Sequence, residues 1–320
     1  MSQLSFLSIA TRNKKLRCEK FLDEMLVVVP WKRLCNIIRP YYFKEREGQQ
    51  GRKPIPLERI LKIHCMQQWF GLSDPGMEEA IYDRNSFQKF LRLDLLSDKV
   101  PDETTILNFR HLLESNKLSE PIFEEINKYL AEKNLLLKNG TAVDATLIAA
   151  PSSKKNKAKS RDKEMSSTKK GDNWYFGMKA HIGVQTQGKP LIHSVETTTA
   201  KDHDITQMEN LLHGEETNIF ADKGYFKEEN KKEFRKRGIF YGVLDKASRG
   251  HKLSSKQNKR NKKLSSVRAK VEHPFQIIKC QWNYRKTRYK GLKKNTGQLN
   301  ILFGLANVFM VRKQLLQLAT

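Results

Sequence analysis

The sequence predicts an α+β protein in which an all-helical first part precedes a mixed sheet. Three observations carry that expectation. Through the first 138 residues, apolar side chains recur at three- and four-residue steps. From residue 139 onward the apolar runs shorten, gain β-branched residues and are bounded by turn residues. Helical-period segments then return between those runs, so the strands begin as a hairpin and later alternate with helices.

In the helical part, Leu57, Ile60, Leu61, His64 and Trp69 form one stripe over 56–71. A second helix starts at "SDPGMEEAI", with Ser73 or Asp74 before Pro75 in its first turn. Asp102 caps a third, whose Ile106, Phe109, Leu112 and Leu113 share a face. Ser119 precedes a fourth, with acids toward its N-terminus, where the helix dipole favours them. Asn139-Gly140 is expected to end the block, because both residues tolerate positive φ.

"TAVDATLI" (141–148) then reads as a strand. The stretch 152–171, with eight Lys/Arg against two acids, reads as a mobile basic loop. "GMKAHIGVQ" and "PLIHSVETT" flank "TQGK" as an antiparallel hairpin. A polar turn follows, in which Asp204 caps a helix over 205–214. "TNIFADKGY" gives a short strand ending at Asp222, 227–237 a charged helix, and "IFYGVL" a last strand. A second basic loop covers 246–266. The expected division is a helical domain, 1–138, and a mixed-sheet domain, 139–320.

Lys and Arg number 60 against 35 Asp and Glu, a net charge of +25. Charge of that size points to a polyanion, phosphate backbone above all. A membrane partner is not expected: the longest apolar run, "ILFGLANVFMV" (301–311), spans eleven residues and contains Asn307. Four scattered cysteines make neither a zinc cluster nor a disulfide framework and fit a reducing cytoplasm.

Three carboxylates stand apart from this background. Asp144 lies inside an apolar strand, where an acid costs several kcal/mol unless paired or metal-bound. Asp222 sits at a strand's C-terminal end, where ligand sites collect. Glu272 is the only acid in the 75 positions from Lys246 to Thr320, among nineteen Lys/Arg. Hard carboxylates, no soft ligands and a polyphosphate partner describe Mg²⁺ held jointly by protein and substrate. Two such ions activate a water or a 3′-hydroxyl and stabilise the leaving oxygen of a phosphodiester displacement. Arg268 and Lys279, one and two turns from Glu272, would face the same DNA strand and neutralise its phosphates. Pro274 requires the segment either to kink or to start a helix nearby.

The ordered motifs "TAVDATLIAAPSS", "GMKAHIGV", "ADKGY" and "VRAKVEHPFQIIK" resemble the DDE transposases of bacterial insertion sequences, most closely the insertion-sequence-five family. "VPDETTILNFRHLLE" resembles that family's helical N-terminal domain. The resemblance runs from about residue 20 to 312 and implies an RNase H-like catalytic core with Asp144, Asp222 and Glu272 as the metal-binding triad. It implies Mg²⁺, as two ions with Mn²⁺ as a substitute, double-stranded DNA as partner, a homodimer or larger assembly, and a bacterial, nucleoid-associated location. In the wider group the third acid sits in a Tyr-x-x-Arg-x-x-x-Glu-x-x-x-x-x-x-Lys signature. Arg268, Glu272 and Lys279 fit it; Ser265 stands at the Tyr position. A DNA-binding regulator and an RNase H-like nuclease, both of transposase descent, are the competing functions.

Further DNA contacts are expected from the basic segments. Lys179 and His181 share a strand face and would reach phosphate. Lys223 follows Asp222 directly. Trp174, with Tyr175, would stack on an unpaired base. Lys259 and Arg260 belong to a run, 248–266, expected to track the DNA backbone without a rigid scaffold.

Overall fold

The computed structural model describes residues 14–42, 55–155, 159–247 and 250–319. Its first part is helical: α1 (Arg17–Val28), α2 (Trp31–Tyr42), α3 (Leu57–Phe70), α4 (Asp74–Asp83), α5 (Asn85–Leu91), α6 (Glu103–Ser115) and α7 (Ser119–Glu132). The caps follow the chemistry of the sequence. Ser73 Oγ accepts from Gly76 N at the head of α4, and Asp102 accepts from Thr105 N at 2.7 Å at the head of α6. The expected stop at Asn139-Gly140 is not a positive-φ turn. That conformation belongs to Asn134, at φ 55° just after α7. Gly140 already opens the first strand, where any Cβ would overlap the Asn218 side chain of the neighbouring strand.

The strands are β1 (Gly140–Ala149), β2 (Ser166–Lys170), β3 (Asn173–Gln185), β4 (Ile192–Thr199), β5 (Asn218–Ala221) and β6 (Phe240–Val243). β3 pairs antiparallel with β4 and β1; β5 and β6 then add parallel to β1. This is a mixed sheet preceded by helices, as the sequence predicts. β2 is the surprise, because the basic segment expected as a loop folds back onto the start of β3 as a hairpin. Residues 156–158 of that segment lie outside the described residues. The expected helix over 205–214 is instead two short 3₁₀ turns, Asp204–Gln207 and Glu209–Leu211.

Beyond the sheet come α8 (Glu228–Lys236), α9 (Ser255–Arg268), α10 (Glu272–Gln276) and α11 (Leu292–Ala319). The expectation of an unscaffolded basic loop over 246–266 is overturned by α9. Ser254 and Gln257 form a reciprocal capping box at its start, a local device strong enough to nucleate a helix with hardly any apolar face. Positions 248–249 lie outside the described residues.

α11 is long and apolar enough to cross a membrane, yet most of that apolar stretch is buried. It packs on α7, α1 and β4, and one apolar cluster runs from Leu22 through Phe303 to Leu315. A smaller cluster of Val143, Ile219, Tyr225, Phe234 and Val243 covers the other face of the sheet. The N-terminus of α11 is held by the basic segment's two acids: Gly291 N donates to Asp162 and Leu292 N to Glu164, both at 2.7 Å.

His64 and His181 are buried in this core and His193 lies partly buried beside it, all three in the neutral form. Burial pushes His64 and His181 down to about 4 and His193 to about 3 from the usual 6.5. The unfolded chain therefore takes up protons that the folded one refuses, so stability is full above about pH 6.5 and falls as the pH drops toward 4. Each ring is worth on the order of 3–5 kcal/mol when fully expressed. Urea midpoints measured at pH 7 and pH 5 should show a loss of several kcal/mol. Equal midpoints would mean the rings are not held neutral.

Candidate active site

The three acids come from three elements: β1, the end of β5 and the start of α10. Ala142 of β1 lies level with Phe220 of β5, and the strands are parallel. Asp144 follows two residues later in β1 and Asp222 just past the end of β5, and the two carboxylates act on each other through space. Asp222 leaves the strand there and accepts from Lys223 N at 2.7 Å, which fixes the carboxylate at the strand end. α9 and the turn 269–271 pack over β1 and β5 and deliver Arg268 and Glu272. The proline conflict resolves in favour of a new start: α10 begins at Glu272, with Pro274 in its first turn.

One guanidinium joins two of the acids. Arg268 Nη2 donates to Asp144 Oδ2 at 2.6 Å, and its Nη1 donates to Glu272 Oε1 at 2.9 Å. Asp144 Oδ1 accepts from Ala145 N at 2.8 Å. Burial above all, with smaller pushes from Asp222 and Asp204, raises the Asp144 carboxyl to about 6 against the downward pull of Arg268 and the Ala145 N–H. Glu272 is largely exposed, with 63% of its side chain accessible. Among the described residues no three His, Cys, Asp or Glu side chains converge tightly enough to hold a metal ion as they stand. The donor set nevertheless fits a hard divalent cation. It consists of carboxylate oxygens, one of them desolvated, and a cation already lies between Asp144 and Glu272 in the form of the guanidinium.

Residues 136–308, over half of the chain, match the model of the transposase DDE domain. Residues 10–112 match a second model, a transposase domain (DUF772). The chain belongs to the DDE transposase family. It is thus a DNA transposase and a metal-dependent enzyme. Its fold also aligns, at 12% identity and a TM-score of 0.20, with a structure titled "Crystal structure of the Mos1 Strand Transfer Complex", over 77% of this chain and 82% of that one.

Several predicted DNA contacts of the transposase are occupied inside the protein. Lys179 Nζ donates to Asp204 Oδ1 at 2.8 Å and to the Asp202 carbonyl at 2.6 Å, so this lysine is not free for phosphate. Asp204 correspondingly pairs with Lys179 and does not cap a helix. His181 is fully buried and bonds Thr198 Oγ1 at 2.8 Å, which rules out a DNA contact. Lys279 Nζ donates to Thr146 Oγ1 at 2.6 Å and the Leu147 carbonyl at 2.7 Å, tying the segment after α10 to β1. Burial lowers its pKa to about 8. Arg260 clasps Asp245 at 2.8 Å and the Tyr241 carbonyl at 2.8 Å, a bond between α9 and β6. Arg268 is committed to two carboxylates.

Trp174, Lys223 and Lys259 remain at the surface, Trp174 with 71% of its area accessible near the β2–β3 turn. Sequence reasoning passed over two neighbours of the acids. Asp204 raises the Asp144 pKa through space, and Tyr225, at the end of the Asp222 turn, has a buried hydroxyl with no hydrogen-bond partner. The "DKGY" spacing was the available signal for Tyr225. Asp204 was read only as a helix cap, and its place beside Asp144 is tertiary.

Proposed function

We propose that this transposase is a member of the insertion-sequence-five family that binds the ends of its element, cleaves DNA there with Mg²⁺, and joins the freed 3′-hydroxyl to target DNA. Asp144, Asp222 and Glu272 are the metal-holding groups in this reading. What supports it is the Arg268 guanidinium that ties Asp144 of β1 to Glu272 of α10, with Asp222, just past the end of the parallel strand β5, close enough to act on Asp144 through space. When bound, two divalent ions would supply an activated oxygen nucleophile and stabilise the leaving oxygen. The protein's own part is to place the carboxylates: Asp144 accepts from Ala145 N and Arg268, Asp222 from Lys223 N, and Glu272 from Arg268. Two DNA ends are brought together by at least two protomers, and the helices of residues 1–138 read the ends or join the protomers. The enzyme works at bacterial DNA in the cytoplasm.

The exposed cations of α9 support DNA binding on a rigid element. Lys256, Lys259 and Lys263 recur at helical spacing on one accessible face, with Lys262 beside them. Replacing these four by Gln should weaken binding to every DNA sequence alike. It should also flatten the salt dependence by about 0.9 in log–log slope for each phosphate that the protein no longer neutralises. A binding titration over a range of KCl concentrations checks this, and an unchanged slope would remove α9 from the DNA interface. The function is tested by a cleavage-and-joining assay on the element's flanking DNA, with and without Mg²⁺. Joined product only in its presence supports the proposal; binding without any cleavage would favour a regulator.

A further inference from the structure

We infer that Arg268 is an exchangeable counter-ion: in the DNA-free protein it occupies the space between Asp144 and Glu272 that a divalent cation takes over, and it then turns to the scissile strand's phosphate. The inference rests on the metal-holding reading of the three acids. Three features of the site point to exchange and not to a permanent structural clamp.

The first is charge. Asp144, Asp222 and Glu272 with Arg268 carry a net charge of −2, so the guanidinium is the local neutralising group. Adding two divalent ions with the arginine still in place would leave an excess of positive charge against the carboxylates. A departing guanidinium relieves it, and an arriving phosphate is the anion for which its planar fork is suited.

The second is incomplete satisfaction. Arg268 Nε is buried and lacks a hydrogen-bond partner, although the same side chain uses both Nη atoms. An unpaired buried donor weakens the hold of the closed arrangement. Arg260 on the same helix differs. Its contacts to Asp245, Val243 and Tyr241 fasten α9 to β6, and it is absent from the buried atoms that lack partners.

The third is the route out. Glu272 is largely exposed and Arg268 itself is 23% accessible, so the bridge opens toward solvent on the Glu272 side. The i, i+4 relation keeps Arg268 and Glu272 on one face of the α9–α10 segment. The arginine can therefore release Asp144 by side-chain rotation, without unfolding either helix.

The test uses the full-length, DNA-free protein and Mn²⁺ as the probe, with free ion counted by electron paramagnetic resonance. Arg268→Ala should bind the first Mn²⁺ about tenfold more tightly than wild type or better, because the ion no longer displaces a charge-assisted hydrogen bond. Arg268→Lys, which keeps the charge and loses the fork, should fall between them. Equal or weaker binding by Arg268→Ala overturns the exchange. Asp144→Asn separates the two readings. If it binds Mn²⁺ as wild type does, the metal-holding assignment itself fails; if it loses the ion while Arg268→Ala binds no more tightly than wild type, only the exchange fails.

A wild-type measurement covers the case in which the alanine variant does not fold. The Arg268 Nε–H proton, shielded in the closed arrangement, should lose its protection from solvent exchange as Mg²⁺ is titrated in, followed by side-chain NMR. Protection that persists at saturating Mg²⁺ overturns the proposal.

Discussion

Asp144→Asn, Asp222→Asn and Glu272→Gln are each expected to slow Mg²⁺-dependent cleavage of end-bearing DNA by roughly a thousandfold or more, with DNA binding kept. The size follows from what a missing ligand removes. A bound metal ion contributes several kcal/mol of charge stabilisation in the transition state, and ~4 kcal/mol corresponds to about a thousandfold in rate. The amides preserve shape and remove charge. In the proposed reading binding rests on the exposed cations of α9, such as Lys256 and Lys259, so the two properties should separate. Asp144 needs one control, because its amide leaves Arg268 with a weaker partner in a partly buried place. Thermal unfolding of each variant supplies it. The result that sinks the assignment is full cleavage by any folded variant. Loss of cleavage together with loss of binding would point to misfolding.

What the sequence disclosed, and what it hid, follows from how each signal arises. The acids were visible because they break a local pattern. Asp144 interrupts an apolar strand, and Glu272 is alone in a basic stretch. The β3–β4 hairpin was visible because turn residues and alternation are local. Lys179 and His181 misled for the opposite reason. Alternation shows which side chains share a strand face, but not whether another layer covers it. The turn at Asp204 covers one, and packing covers the other. β2 hid because its "SSTKK" has little intrinsic strand character and forms through pairing with β3. α9 hid behind its charge, although the Ser254-x-x-Gln257 capping pair was present in the sequence to be found. Arg268 was assigned to phosphate from its spacing to Glu272. Its bond to Asp144, 124 positions away in the chain, is tertiary and left no mark in the sequence.

Asn307→Leu is expected to destabilise the protein by about 2–4 kcal/mol, an unusual penalty for making a buried site more apolar. Asn307 breaks the longest apolar run in the chain, and the structure gives the reason. Its side chain is fully buried in α11. Nδ2 donates to the Asn127 side chain of α7 at 2.8 Å and to the Ile192 carbonyl at 2.7 Å, while Oδ1 accepts from Ile192 N at 2.8 Å. One amide thus pins α11 to α7 and to the first residue of β4. Replacing a polar pair by apolar groups can be nearly neutral when both partners are replaced. Here one partner is the peptide group of Ile192, which no substitution removes. Leucine leaves that N–H buried without an acceptor. Asn307→Asp should be worse, since it keeps the acceptor but places a charge among the core residues Phe303, Leu305 and Val311. Guanidinium unfolding of both variants, with surface Lys313→Ala as a reference within ~0.5 kcal/mol of wild type, measures the difference. A leucine variant as stable as wild type would mean that the edge of β4 finds another acceptor when α11 lets go.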